Sequence, residues 1–335
     1  MTARPCAVFL AIAILVFGGC SSRSREVVVY TSVDQVVSEP ILRDFEKQSG
    51  LTVRAVFDTE ETKSTGVLNR LVAEGAHPQA DVFWSGDPAR PFVLIKRGLV
   101  APYESVNAAG ISPSFRASDG TWTGFAARVR VLLVNRHRVP ASATPRSIRD
   151  LADPRWKGMT AIANPIFGTT TMHVAALFTT WGEEQGRAFL QALKENQARI
   201  ASSNGEVKRL VASGDVAFGV ADTDDAQEAL ADHAPIEVVF PDQDGIGTLV
   251  MPTTVSLMRG APHADAGKKL IDYLLRPEVE RRLAEAAAHV PLRAGVQTPP
   301  GIKRADEFKA MQVDYARVAD EVERMQPWLK SWVGL

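Results

Sequence analysis

Short apolar runs alternate with helical patterns along the first eighty-odd residues, and no other feature restricts the possible folds of this chain as strongly. Val27-Val28-Val29-Tyr30 precedes Val37, Ile41, Leu42 and Phe45 at helical spacing, a pattern that stops near Gly50. Leu51-Thr52-Val53-Arg54-Ala55-Val56 follows, then Val67, Leu68, Leu71 and Val72 on one helical face up to Gly75, then Asp81-Val82-Phe83-Trp84. Strands separated by helix-length connections pair in parallel, with the helices covering the sheet faces. Pro40 interrupts the first helical pattern and predicts that its regular part begins there.

A second unit of the same kind is expected from about residue 128 to 250. Its markers are strands at Val129 to Val134, Met159 to Ala163 and Val216 to Val220, with helices from Thr169 and from Glu183 to Asn196. Gly247 to Val255 reads as an extended segment long enough to cross between two lobes, and the helix with Leu270, Ile271, Leu274 and Leu275 on one face should pack back on the first. The fold class expected is α/β with two lobes, each a mainly parallel sheet flanked by helices. The expected boundaries are residues 26–127 with 253–300 for lobe 1, and 128–252 with 301–335 for lobe 2. Clefts between lobes are favoured ligand sites.

The first twenty residues carry Arg4, the apolar run Ala7 to Phe17, and Gly18-Gly19-Cys20. A basic start, a short apolar run and small residues before a break predict an export signal over residues 1–19 rather than a membrane span. The break resembles the lipobox of bacterial lipoproteins, with Phe17 where Leu is usual, and Cys20 would then carry lipid and become the new N-terminus. Residues 20–25 read as a short tether. Removing 19 of 335 residues leaves 316 and discards Cys6, so no internal disulfide is expected and a large core must hold the fold. Lys and Arg (38) balance Asp and Glu (39), which excludes a basic nucleic-acid footprint.

From Val27 to about residue 293 the chain resembles the periplasmic solute-binding proteins of ABC importers, in the branch of the ferric-ion, thiamine and phosphonate binders. The segments that carry the resemblance are Val29-Tyr30-Thr31-Ser32, Leu71 to Gly75 through Ala80-Asp81-Val82, Asp153 to Gly158, and Ala266 to Leu275 with Pro277-Glu278. It implies two lobes closing by a hinge motion, docking on a permease and ATPase complex, a location in the periplasm or on the outer face of the cell membrane, and a monomer without a resident cofactor.

Ligands of α/β lobes sit at strand carboxyl ends and helix amino ends. Asn164 to Thr171 stacks Thr169, Thr170 and Thr171 at a helix start, where a cap needs one hydroxyl, and the family's anion-binding loop falls here. Asp222, Asp224 and Asp225 follow the strand Phe218-Gly219-Val220; three carboxylates in four residues are costly unless a cation sits among them. The ferric binders hold two adjacent tyrosines at this position, and Asp224-Asp225 stands there instead. Glu60 and Glu61 match a carboxylate ligand of those binders, or simply compensate a helix dipole. Tyr30, Thr31 and Ser32 end the first strand, and Ser85 and Gly86 end the third; all five are expected at the cleft, with Trp84 as an apolar wall.

Two cargoes fit such a cleft. One is ferric ion on Glu60 (or Glu61), Asp224 and Asp225 with a companion anion on the threonines. The other is a zwitterion such as 2-aminoethylphosphonate. A structural or signalling surface lipoprotein is the reading of a different class. The six histidines show no catalytic or metalloprotease spacing, so an enzyme is not expected.

Overall fold

The computed structural model describes residues 25–58 and 66–335. The signal segment, Cys20, Glu60 and Glu61 lie outside the described residues. In chain order the elements are β1 (Glu26–Thr31), α1 (Gln35–Ser49), β2 (Thr52–Phe57), α2 (Gly66–Ala73), β3 (Val82–Ser85), α3 (Arg90–Lys96), β4 (Val100–Ala101) and β5 (Thr123–Asn135). Then come β6 (Thr160–Ala163), α4 (Gly168–Trp181), α5 (Glu183–Glu195), β7 (Arg199–Ala201), α6 (Asn204–Ser213), β8 (Phe218–Asp222), α7 (Thr223–Ala231) and β9 (Ile236–Val239). The last are β10 (Val250–Met258), α8 (Ala264–Leu274), α9 (Pro277–Ala287) and α10 (Tyr315–Val333).

Among the described residues the strands join in the order β2-β1-β3-β10-β5-β8-β6-β7, with β4 on β10 and β9 on β5. The outer strands are parallel, as β-α-β crossovers require: β1 with β2 and β3, and β6 with β7 and β8. Between these halves β10 and β5 run antiparallel to their neighbours. The 13 residues of β5 make it the seam, since Thr123 to Val129 pair with β10 and Arg130 to Val134 pair with β8. The β5–β10 register shifts at Pro252/Thr253, and on β5 itself Ala126 takes a left-handed φ of 45°. Both irregularities fall where the sheet passes from one half to the other.

Helix packing follows the apolar stripes. α1 buries Ile41, Leu42 and Phe45 and ends on Gly50, whose φ of 69° lets its N–H reach the Glu46 carbonyl. It begins at Gln35, five residues before the expected start, so Pro40 lies inside it. The break is tolerated because the carbonyl lacking a partner belongs to Val36, which is 82% exposed and open to water, while Ser38 Oγ satisfies the Asp34 carbonyl (3.0 Å). α8 packs on β1, β3 and β10, and α9 on α1 and β5, while α10 lies along α4 and touches α3. One core runs through both halves, with Trp84, Phe125 and Phe218 fully buried. Each such side chain contributes about 1.5–3 kcal/mol by leaving water. No described helix is long and apolar enough to cross a membrane.

Candidate functional site

A cleft of about 920 Å³ opens between the halves. The first half reaches it through the turns after β1 and β3. Ser32 Oγ accepts the Gly86 N–H (3.0 Å) and ties these turns together, and a Cβ on Gly86 would meet the Ser32 carbonyl oxygen at 3.3 Å. Asp34 and Asp87 line the same wall, Asp87 paired with Arg90 at 3.0 Å, and Val33, Val37 and Val93 make it partly apolar.

The second half is built around a buried cation. Arg130 on β5 is 1% exposed and donates from Nη1 to Asp222 Oδ1 (2.7 Å), Asn204 Oδ1 (3.0 Å) and Thr169 Oγ1 (3.1 Å), and from Nη2 to Thr170 Oγ1 (3.2 Å). One guanidinium therefore holds the amino ends of α4 and α6 and the residue preceding α7. A hydroxyl has one proton, and because Thr169 and Thr170 accept from Arg130 their own protons remain to be donated elsewhere. Phe167 precedes α4 without a capping side chain, so the helix's first amides are left to other partners. Thr171 Oγ1 is buried without a partner among the described residues.

Arg128, two residues earlier on the same face of β5, lines the cleft with a quarter of its side chain open. Nη2 donates to the Gly86 carbonyl (3.1 Å) and Nη1 stands 3.6 Å from Asp222 Oδ2. Burial alone would weaken its charge, but Asp222, Asp224, Asp87 and Asp34 outweigh that and push its pKa up. The carboxylates respond in the opposite sense. Burial, then Asp222, raises Asp224; burial, then Asp224 and Asp222, raises Asp225 to about 7. Oxygens of Asp222, Asp224 and Asp225 lie within 4.8 Å of one another, close enough for one cation to serve all three.

Of the residues singled out in the sequence, Ser32, Gly86, Thr169, Thr170, Thr171 and Asp224 line the cleft. Asp222 lies just beneath it, its charge already taken by Arg130, and Asp225 sits behind Asp224 with Oδ2 accepting the Asp222 N–H (3.2 Å). Four others lie elsewhere. Tyr30 points to the α2 side of the sheet, where its hydroxyl donates to Glu74 (2.9 Å). Thr31 Oγ1 accepts the Val33 N–H (3.0 Å), and Ser85 Oγ donates to the Asp87 carbonyl (2.8 Å), so both are spent on fixing turns. Trp84 is wholly buried against Phe125 rather than forming a cleft wall. Sequence reading missed Arg128, Arg130, Asn204 and His289. The available signal was two arginines at i and i+2 in Ala126-Ala127-Arg128-Val129-Arg130-Val131, since a charge repeated on one face of an apolar strand needs partners.

Comparison with known proteins agrees with this architecture. Iron uptake protein A1 of Synechocystis is 28% identical over 298 residues, 85% of this chain and 81% of the relative. The Fe(3+)-binding periplasmic protein of Serratia marcescens is 31% identical over 219 residues, 64% of this chain and 62% of the relative. A solved Trichodesmium structure in complex with iron and citrate superposes with a TM-score of 0.81 at 24% identity, over 92% of this chain and 99% of its own. Residues 78–318 match the family described as bacterial extracellular solute-binding protein, and the chain belongs to that family.

Proposed function

We propose that this chain is the extracytoplasmic solute-binding lipoprotein of an ABC importer and that its cargo is ferric iron carried with a small anion. The observation that carries this reading is the two-sided polarity of the cleft. Asp224 and its neighbours hold charge that a cation would relieve, while Thr169, Thr170 and Arg128 offer donors to an anion. The Synechocystis and Serratia relatives, named for iron uptake and ferric-ion binding, support it. In this reading Asp224 and Asp225, with Glu60 or Glu61, supply oxygen ligands, and Ser32, Gly86 and Thr171 complete the wall around them.

Residues 26–127 with 253–300 form lobe 1 in this proposal, and 128–252 with 301–335 form lobe 2. The packing of α8 on β1 and of α10 on α4 supports that division. The mature monomer is tethered through lipid on Cys20, and its loaded form docks on a permease and ATPase complex. Mass spectrometry of the N-terminal peptide tests the anchor: an unmodified Cys20, or a chain still carrying residues 1–19, contradicts it.

A second cargo, a zwitterion such as 2-aminoethylphosphonate, is favoured by the tyrosines. Tyr30, Tyr103, Tyr273 and Tyr315 are bonded to Glu74, Asp272, Asp44 and the Val250 carbonyl, and none lines the cleft to offer iron a phenolate. Thermal unfolding with ferric citrate and with 2-aminoethylphosphonate separates the two, because a ligand at a hundred times its Kd stabilises the folded state by about 2.7 kcal/mol. Stabilisation by ferric citrate alone is the expected result. Stabilisation by the phosphonate alone would replace iron as cargo, and no response to either would overturn the binding role.

A further inference from the structure

His289 belongs to none of the motifs that mark the cleft, yet it stands on its floor. The antiparallel bridge between Val290 and Ala127, closed by N–H to carbonyl bonds of 2.7 and 2.8 Å, makes His289 the cross-strand neighbour of Arg128. The bridge is braced by the buried Glu280, whose Oε1 accepts from Ala126 N (3.1 Å) and Leu292 N (3.0 Å). Ala288, just before it, caps α9 in the left-handed region at φ 51° and turns the chain into this position. His289 is 6% exposed, and its buried Nδ1 has no partner among the described residues. A buried polar nitrogen without a bond is costly and marks a place where a partner is missing.

We infer that His289 contacts the solute and selects for an uncharged oxygen, a hydroxyl above all, placed beside the acidic group that Arg128 receives. This inference rests on the solute-binding reading above and narrows it to hydroxy acids, free or chelating a hard cation. Burial, and then Arg128, lower the imidazole's pKa to about 3, so it meets the solute neutral. A neutral imidazole cannot tell an anion from a cation by charge. In this cleft those tasks fall to Arg128 and Asp224, which leaves His289 to read a group that is neither. A hydroxyl both donates and accepts, so it satisfies the ring nitrogen in either tautomer.

Calorimetry at one fixed pH with citrate and with tricarballylate, which has the same three carboxylates and no hydroxyl, tests this on the unaltered protein. Citrate is expected to bind at least about tenfold more tightly. In His289→Leu the gap should close to about twofold, with tricarballylate affinity unchanged. Equal binding of the two acids by the wild-type protein overturns the inference, as does a tenfold gap that persists in His289→Leu. The wild-type comparison decides the matter if the variant fails to fold. Binding of 2-aminoethylphosphonate but of neither acid overturns the hydroxy-acid assignment alone. Failure to bind the acids, their ferric complexes and the phosphonate alike overturns the solute-binding reading as well.

Discussion

The two halves of the sheet approach the cleft in different ways. The β2-β1-β3 half contributes two turns, stitched by Ser32 and Gly86, with apolar valines and one partly open ion pair, Asp87–Arg90. The β8-β6-β7 half contributes helix ends fixed from beneath by Arg130, which bonds to Asp222, Asn204, Thr169 and Thr170 within the chain itself. The contrast is one of construction: the second wall hangs on one buried guanidinium, and the first on hydrogen bonds between turns.

The largest expected effect breaks the second wall. Arg130→Met leaves the buried Asp222 with only the longer cationic contact from Arg128, which should destabilise the fold by about 3–5 kcal/mol in denaturant titration, and Asp222→Leu added to it should recover a large part of that loss. Arg90→Met, the matching change on the first half, should cost less than about 1 kcal/mol because its ion pair is partly open to water. Similar losses for the two would erase the asymmetry.

A smaller effect comes from pH. Asp225 has a folded-state pKa of about 7, above its ordinary 3.8, so the stability it contributes is complete below about pH 4 and is lost as pH rises through 7. Asp225→Asn, which keeps the bond to the Asp222 N–H, should therefore gain on the wild type by about 2 kcal/mol between pH 4 and pH 8. A constant difference across that range would mean the carboxylate is not crowded. The smallest effect concerns the end of α9, beside the bridge to β5. Ala288→Gly relieves a left-handed residue and should raise stability by about 0.5–1 kcal/mol; a loss would show that the methyl group packs usefully there.

The parallel outer strands were legible because their signal is local: apolar runs of strand length separated by single helical stripes, as from Val27 to Trp84. The antiparallel centre was not, since β5 and β10 pair across more than a hundred residues and nothing in either run names the other. The cleft divides along the same line. Thr169 to Thr171 and Asp224 could be read from their helix starts, but Asp222 reads as a free charge until Arg130, 92 residues away, is seen to neutralise it. Tyr30 and Thr31 end the strand without lining the cleft, because Tyr30 turns to the α2 side and Thr31 is held in the following turn, and of the three only Ser32, beyond the strand, lies on it.

The central claim is that the second wall recognises charge, with Asp224 and Asp225 meeting the cationic part of the solute. Calorimetry at fixed pH on Asp224→Asn/Asp225→Asn with ferric citrate tests it most directly, because Asn keeps size and capping ability while both charges go. The account predicts that the fold persists and that binding weakens by roughly 2–4 kcal/mol, about thirtyfold to a thousandfold. Wild-type affinity in that variant would contradict it.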